Sequence, residues 1–238
     1  MDISDNFYFF LTPFLIGITY FSAFENGKTT CKRFTTNYFL YLLSTISIYL
    51  SSIKYYEKEN FPINNKYRLA LVIVELILIF SLSFVKNKTI QHLIFLAIIL
   101  IAGYIQRAFL ETVKINKEMI EDVLKKMLVI ILICFAISVK FPQYMNNSFL
   151  NFLIFGTIFV LLFRLIDYVF LDKKYNSLLT TLTIFIFSGF IMYDTNRVIE
   201  MGKKCKSGGN PDYLNMVFDM FLNLEGLFTN LAIGEKNE

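Results

Sequence analysis

Long apolar runs, separated by short polar stretches, are the feature that most restricts the fold of this chain. Several runs reach the roughly 20 residues that a helix needs to cross a bilayer. Of the 238 residues, 55% are hydrophobic and only 18% are charged, and the mean hydropathy is +0.54. Backbone polar groups inside a bilayer must be satisfied within the chain, so runs of this length predict helices. We expect an all-α integral membrane protein.

The apolar runs predict a bundle of seven transmembrane helices. Their expected limits are residues 37–53, 67–85, 89–106, 123–139, 148–171, 176–201 and 212–233. A further apolar run, at residues 7–24, follows two aspartates rather than a basic segment, which is a poor fit to a cleaved signal peptide. We expect this run to be an additional N-terminal anchor or an interfacial helix.

The domain organisation follows the same pattern. Residues 1–31 are predicted to form an N-terminal hydrophobic segment with a basic loop, residues 32–234 the seven-helix membrane domain, and residues 235–238 a polar tail. The net charge of +4 is spread over the loops, so nothing favours a nucleic-acid partner. The expected surroundings of the chain are the lipid bilayer.

Two aspartates lie within the last two apolar runs. Asp194 comes late in one run and Asp219 early in the next, with a basic, glycine-rich loop between them. If the helices end near Gly202 and restart near Pro211, each aspartate lies eight residues, or roughly 12 Å, from the shared turn. Antiparallel helices would then hold both carboxyls at one level. Carboxylates inside a membrane are costly and tend to be functional.

The last predicted helix carries a narrow stripe of polar or small residues. Its members recur at spacings of three and four, which places them on one helix face: Asn215, Asp219, Asn223, Gly226 and Asn230. A polar stripe in an apolar segment should face protein or water rather than lipid. Asn215 and Asn223 are therefore candidate pore-lining residues.

The same segment resembles a known family. Tyr193-Asp194-Thr195 after an apolar helix, then Asp212-Tyr213 and the helix from Phe218 to Leu224, resemble the closing signature of the Bax inhibitor family, the transmembrane BAX inhibitor motif proteins. The resemblance extends over about residues 32–234. It implies a calcium-leak branch in which the aspartate pair senses pH, Ca²⁺ and protons are the permeant or binding ions, and no cofactor is tightly bound.

The chemistry of two adjacent carboxyls fits that implication. In a low-dielectric site both cannot ionise cheaply, so they share a proton and lose their protons in two separate steps. Protonated, Asp194 and Asp219 would form a hydrogen-bonded latch between their helices. Deprotonated, they would repel each other and offer four oxygens to Ca²⁺, bound only transiently. The alternative is that both aspartates are structural and cap a helix or pair with Arg197 or a lysine.

Glu75 and Lys86 are the second candidate pair. They are eleven residues apart, so a continuous helix would carry both on one face, about 16 Å apart. The family resemblance implies a mid-helix acidic residue and a basic residue, often arginine, eleven positions later, as the gating partner of the aspartates. Lysine lacks the bidentate fork of arginine. The alternative for Lys86 is a snorkelling cation at a helix end.

Two smaller predictions concern packing. Arg164 and Asp167 have the i,i+3 spacing of a structural ion pair. Ala102 and Gly103 are small enough to let two helices approach closely.

Three classes of function remain in view. The resemblance implies a pH-sensitive calcium leak channel that lowers stored calcium and suppresses cell death. The second class is a membrane-embedded anti-apoptotic protein that binds apoptosis regulators without conducting ions. The third is an intramembrane aspartyl protease, which Tyr193-Asp194 resembles, but such enzymes carry glycines before the second aspartate and Asp219 follows Met216-Val217-Phe218. No other enzyme pattern is present, and we expect no enzyme.

The compartment depends on the host. The resemblance implies the endoplasmic reticulum or Golgi membrane in a eukaryotic or viral setting, and the plasma membrane in a bacterium.

Overall fold

The computed structural model describes residues 3–25, 28–59, 65–206 and 211–237, which fold almost entirely into α-helices. The eight helices are α1 (Ile3–Ala23), α2 (Phe34–Lys58), α3 (Asn65–Leu82), α4 (Lys88–Val113), α5 (Lys117–Lys140), α6 (Asn147–Phe170), α7 (Asn176–Lys206) and α8 (Tyr213–Asn237). Two short strands, β1 (Phe24–Glu25) and β2 (Lys28–Thr29), form an antiparallel hairpin after α1, and a 3₁₀ turn (Pro142–Tyr144) follows α5. The all-α prediction is confirmed.

Three of the helices begin at an asparagine. The side chain of Asn87 accepts the backbone N–H groups of Thr89 and Ile90 at the start of α4. Asn116 and Asn146 do the same for α5 and α6. These side chains satisfy N–H groups that the first turn of a helix leaves without a backbone partner. Local chemistry thus fixes where each of these helices starts.

Among the described residues, fewer helices are long and apolar enough to span a membrane than the seven predicted. Within the described residues, four helices are long and apolar enough to cross a membrane: Lys88–Val113, Asn147–Phe170, Asn176–Cys205 and Tyr213–Lys236. The apolar part of α1, Leu11–Ala23, is shorter. Helix α5 carries charged residues through its first three turns. The count of seven spans therefore stays a prediction.

The chain divides into two compact units. The first comprises Met1–Lys114 and Gly208–Phe218, and the second comprises Ile115–Ser207 and Asp219–Glu238, so that α8 contributes to both. In the first unit α1 packs on α2, and both α2 and α3 pack on α4. In the second unit α7 packs against both α5 and α6.

Hydroxyl groups join α1 to α2 in the first unit. Thr12 Oγ1 lies 2.6 Å from Ser47 Oγ and 2.9 Å from Ser51 Oγ. Farther along, Thr19 Oγ1 lies 2.8 Å from Ser44 Oγ. Side-chain hydrogen bonds of this kind are one of the means by which helices associate where lipid removes the hydrophobic driving force. The apolar run at residues 7–24 therefore lies almost entirely in α1, which packs on α2 within the first unit.

The predicted close approach at Gly103 is confirmed. A Cβ placed on Gly103 would lie 1.7 Å from Ser52 Oγ and 3.2 Å from the backbone oxygen of Tyr49. No side chain fits there, so the glycine allows α2 and α4 to contact through their backbones.

The second unit has one face of α6 buried and the other exposed. Leu153, Val160 and Asp167 are buried on the inner face, where Leu153 packs against Gly189 of α7. Phe152 and Phe155 on the outer face are each 70% exposed. Large apolar side chains exposed along a whole helix face suit contact with lipid rather than water.

Candidate functional site

Asp194 of α7 and Asp219 of α8 come together in the second unit. Asp194 is buried, Asp219 is half-exposed, and the two carboxyls are close enough to interact electrostatically. The expected spacing of eight residues from the turn is wrong for both: α7 continues to Lys206, 12 residues beyond Asp194, and α8 begins at Tyr213, six residues before Asp219. The meeting of the two aspartates nevertheless agrees with the sequence prediction.

Each carboxylate has its own hydrogen-bond donor. Asn223 of α8 donates from Nδ2 to Oδ2 of Asp194 over 2.7 Å. Arg197 of α7 donates from Nη1 to Oδ2 of Asp219. The pairing with Arg197, which the sequence left open as an alternative, therefore holds for Asp219. Asp194, Asp219 and Arg197 together therefore carry one net negative charge when both aspartates are ionised.

A polar cavity borders this group. It has a volume of about 260 Å³ and is lined by Met145, Asn146, Asn147, Tyr193, Asn196, Arg197 and Glu200. Asn196 spans it from the α7 side, with Nδ2 3.4 Å from both the backbone oxygen of Met145 and Oε1 of Glu200. Arg197 belongs both to the cavity lining and to the carboxylate group.

Of the two predicted pore-lining asparagines, the structure joins one to the aspartates. Asn223 binds Asp194, as described. Asn215 belongs to the first unit, where its Nδ2 donates to Oδ2 of Asp212 over 2.8 Å. Asp212 in turn forms an ion pair with Lys88. A pore-lining role for Asn215 stays a prediction.

The single helix face expected for Glu75 and Lys86 is wrong. Helix α3 ends at Leu82, so Lys86 lies exposed in the connection to α4, whereas Glu75 is half-buried within α3. Asn87, directly after Lys86, caps the start of α4 with its side chain. The eleven-residue spacing is therefore not a helical one, and the gating roles of the two residues stay predictions.

The second unit also contains a polar cluster that the sequence did not predict. Arg164 donates from Nη2 to Oδ1 of Asn230 over 2.8 Å and to Oγ1 of Thr183 over 3.1 Å. Asp167 instead accepts the backbone N–H of Tyr175, 3.0 Å away, so the predicted pair of Arg164 with Asp167 is wrong. The spacing of Arg164 from the buried Leu153 and Val160 already placed it on the inner face of α6.

A cation at the aspartate pair would find few protein ligands. Across the described ranges, no three His, Cys, Asp or Glu side chains cluster. Ca²⁺ takes six to eight oxygens, so two carboxylates would leave most positions to water or amide oxygens. Such a site suits weak and rapidly exchanging binding.

Fold and site together define a class, the all-α integral membrane proteins with an acidic pair in their last two apolar helices. The family described as inhibitor of apoptosis-promoting Bax1 matches residues 33–233. The chain belongs to this family, which confirms the family resemblance, while its assignment to the calcium-leak branch is a proposal.

The chain is also similar to a bacterial protein. It is 31% identical over 81 residues to an uncharacterized membrane protein of Vibrio cholerae serotype O1. The similar segment covers 34% of this chain and 33% of the relative, so the chain matches about a third of the relative's length.

Proposed function

We propose that this protein is a pH-sensitive Ca²⁺ leak channel controlled by Asp194 and Asp219. One observation carries the proposal: two apolar helices bring a buried and a half-exposed carboxylate together, with one guanidinium and one amide as their donors. Ionisable groups in such segments are costly, and they mark ion paths and proton relays.

The carboxyl pair provides the pH dependence. Asp194 faces Asp219 and Asn223 from α8 and Arg197 from α7, and Arg197 also interacts with Tyr193. When one carboxyl is protonated, the pair shares a proton, the helices stay together and the path is closed. When both are ionised, Arg197 offsets only one charge, so the remaining repulsion separates the helices and favours a cation between them.

The proposed path begins at the polar cavity. Its lining offers the side-chain oxygens of Asn147 and Glu200, which can replace part of the hydration of an entering cation. Arg197 lies between this cavity and Asp219. A displaced Arg197 would therefore open the way from the cavity to the carboxylates.

The proposal extends to the cell and to Glu75. A leak of this kind would lower stored calcium and so suppress cell death, from the endoplasmic reticulum or Golgi membrane in a eukaryotic or viral host and from the plasma membrane in a bacterium. Glu75, half-buried within α3, is proposed to line the path. No chemical catalysis is part of the proposal.

Ca²⁺ flux through the purified protein in liposomes tests the proposal. The wild-type protein is compared with Asp194→Asn and Asp219→Asn from about pH 5 to about pH 8, the range in which a perturbed carboxyl pair titrates. We expect wild-type flux to increase with pH. Asparagine imitates a protonated carboxyl at every pH, so the flux of each variant should stay low and nearly constant.

The matched control is Asp122→Asn, which removes an exposed carboxylate of the same unit that pairs with Lys125. Its pH profile should match the wild type. If folded wild-type protein gives no flux above that of empty liposomes at any pH, the channel proposal fails. The remaining candidate is then the anti-apoptotic interaction protein, whose binding to apoptosis regulators should survive Asp219→Asn.

A further inference from the structure

Arg164, Thr183 and Asn230 form a cluster that we call the arginine bridge. It joins three helices of the second unit, because Arg164 lies on α6, Thr183 on α7 and Asn230 on α8. Arginine stays charged at every physiological pH. A permanent positive charge is thus held within helices that are long and apolar enough to span a membrane. Such a residue marks a functional position by default.

Hydrogen bonds within α7 and α8 orient the two acceptors of the bridge. Thr183 donates its hydroxyl to the backbone oxygen of Leu179 over 2.7 Å, and Asn230 donates its amide to the backbone oxygen of Gly226 over 2.8 Å. Each side chain donates to a backbone oxygen of its own helix, and its side-chain oxygen accepts from Arg164. The bridge is therefore a built contact with defined geometry.

The bridge lies in register with the aspartate pair. Thr183 precedes Asp194 by eleven residues on α7, and Asn230 follows Asp219 by eleven residues on α8. Eleven residues are close to three helical turns, or about 16 Å. On each helix the two positions therefore share one face, and the helices run in opposite directions, so the bridge forms a second polar layer on the face that carries the aspartates.

An apolar contact separates the two layers. Phe187 of α7 packs against Gly226 of α8, where an added Cβ would lie 2.3 Å from Cζ of the ring. Both residues fall between the layers in sequence and lie on the same helix faces as the layers. A path that follows this face from the aspartates would thus meet an aromatic ring and then a guanidinium.

We infer that the arginine bridge is a second gate for cations, in series with the aspartate pair; this inference rests on the proposed channel function. A bridged Arg164 opposes a divalent cation by its charge and closes the face by tying α6 to α7 and α8. The path opens when Arg164 leaves Thr183 and Asn230. Because the arginine does not titrate, this gate contributes the same closure at every pH, and the pH dependence belongs to the aspartates.

Three variants test the bridge. Arg164→Gln removes the charge, whereas Thr183→Val and Asn230→Leu each remove one acceptor and keep both the charge and the branched shape of the side chain. Lys125→Gln is the matched control, since it removes a positive charge from an exposed ion pair of the same unit. Ca²⁺ flux is measured in liposomes from about pH 5 to about pH 8. The reversal potential is measured in planar bilayers with a salt gradient.

We expect Arg164→Gln to raise Ca²⁺ flux by about tenfold or more at each pH, because it removes the positive charge and both charge-assisted hydrogen bonds of the bridge. Its reversal potential should move toward the value of a cation-selective path. Asn230→Leu and Thr183→Val should raise the flux by a smaller factor and leave the reversal potential unchanged. All three should retain the wild-type pH profile, and if Arg164→Gln does not fold, the two acceptor variants decide.

Two outcomes overturn this inference and leave the proposed function standing. In the first, wild-type flux depends on Asp194 and Asp219 but is the same in the bridge variants. In the second, the bridge variants lose the pH dependence when their flux changes. An absence of flux in the wild type and in every folded variant overturns the proposed function and the second gate with it.

Discussion

Arg197 lies one helical turn beyond Asp194 on α7, yet its guanidinium binds Asp219 on the neighbouring helix. A positive charge at the aspartate pair therefore comes from α7, the helix that carries Asp194. The resemblance had implied a more distant partner, Lys86, which lies exposed in the connection after α3. The guanidinium of Arg197 occupies Oδ2 of Asp219, an oxygen that a cation would need.

The first prediction follows from this competition. Arg197→Gln should bind Ca²⁺ about tenfold more tightly than the wild type, because the guanidinium no longer competes with the cation for the carboxylate of Asp219. The measurement is the increase in melting temperature of the purified protein as Ca²⁺ is titrated. Because the ion pair is half-exposed, its loss should itself cost at most about 1 kcal/mol of stability.

Arg197→Lys is the control for this prediction. Lysine keeps the charge but donates from a single point, so its apparent Ca²⁺ affinity should lie between those of the wild type and Arg197→Gln. Equal affinities in all three proteins would show that Ca²⁺ does not reach Asp219.

The second prediction concerns the donor of the buried carboxylate. Asn223→Leu leaves the Asp194 side chain without its hydrogen bond, which should cost about 1–3 kcal/mol of unfolding free energy. The cost should be larger near pH 8 than near pH 5, because a charged carboxylate needs the donor more than a protonated one does. Denaturant unfolding in mild detergent at the two pH values measures the difference.

Asp194→Asn with Asn223→Leu completes a double-mutant cycle. With a neutral amide at position 194, the loss of Asn223 should lower the unfolding free energy by less. The double variant should therefore be more stable than the sum of the two single losses of unfolding free energy implies. Additive costs would mean that the 2.7 Å contact contributes nothing to stability.

Much of the fold could be predicted from the sequence, because apolar length and a polar stripe at helical spacing report burial directly. The aspartates meet as the sequence predicted, and the close approach at Gly103 was visible in the small residues around it. Helix ends were less predictable where they depend on a single side chain. Helix α3 ends at Leu82, before Lys86, and Asn87, a favoured N-cap residue, starts α4.

Partners between helices were harder to predict than helix faces. The spacing of Arg164 and Asp167 suggested a local pair, but Arg164 found two acceptors on other helices and Asp167 found a backbone N–H. Sequence spacing shows which residues share a face, while the choice among competing partners depends on which helices lie opposite. Nothing local in the sequence gives that information.

The third prediction tests the contact of α2 with α4. Gly103→Ala should lower the unfolding free energy by about 1–3 kcal/mol through overpacking, less the roughly 1 kcal/mol that alanine gains in helix propensity. The added methyl meets Ser52 Oγ and the backbone oxygen of Tyr49, and the backbone cannot rotate away. Thermal unfolding in detergent measures the loss.

Gly17→Ala in α1 is the matched control, since nothing lies within 4 Å of its added methyl. It should be neutral or slightly stabilising. Ser52→Ala in the Gly103→Ala background should recover part of the loss, because it removes the nearest atom. If Gly103→Ala and Gly17→Ala are equally stable, the helices of the first unit approach less closely than the structure has them.

The last prediction concerns the apolar contact between the two polar layers. Gly226→Ala should destabilise the protein by about 1–3 kcal/mol, because its methyl would lie 2.3 Å from Cζ of Phe187. Gly234→Ala on the same helix has open space around it and is the matched control.

Phe187→Leu in the Gly226→Ala background replaces the ring by a shorter side chain and should restore most of the lost stability, whereas Phe187→Leu alone should cost stability by leaving a gap. Opposite effects of Phe187→Leu on stability in the two backgrounds would identify a direct contact. Thermal unfolding of the wild type, the two single variants and the double variant measures these effects. If Phe187→Leu had the same effect in both backgrounds, the ring would have moved aside at no cost and would not be a barrier between the aspartates and the arginine bridge.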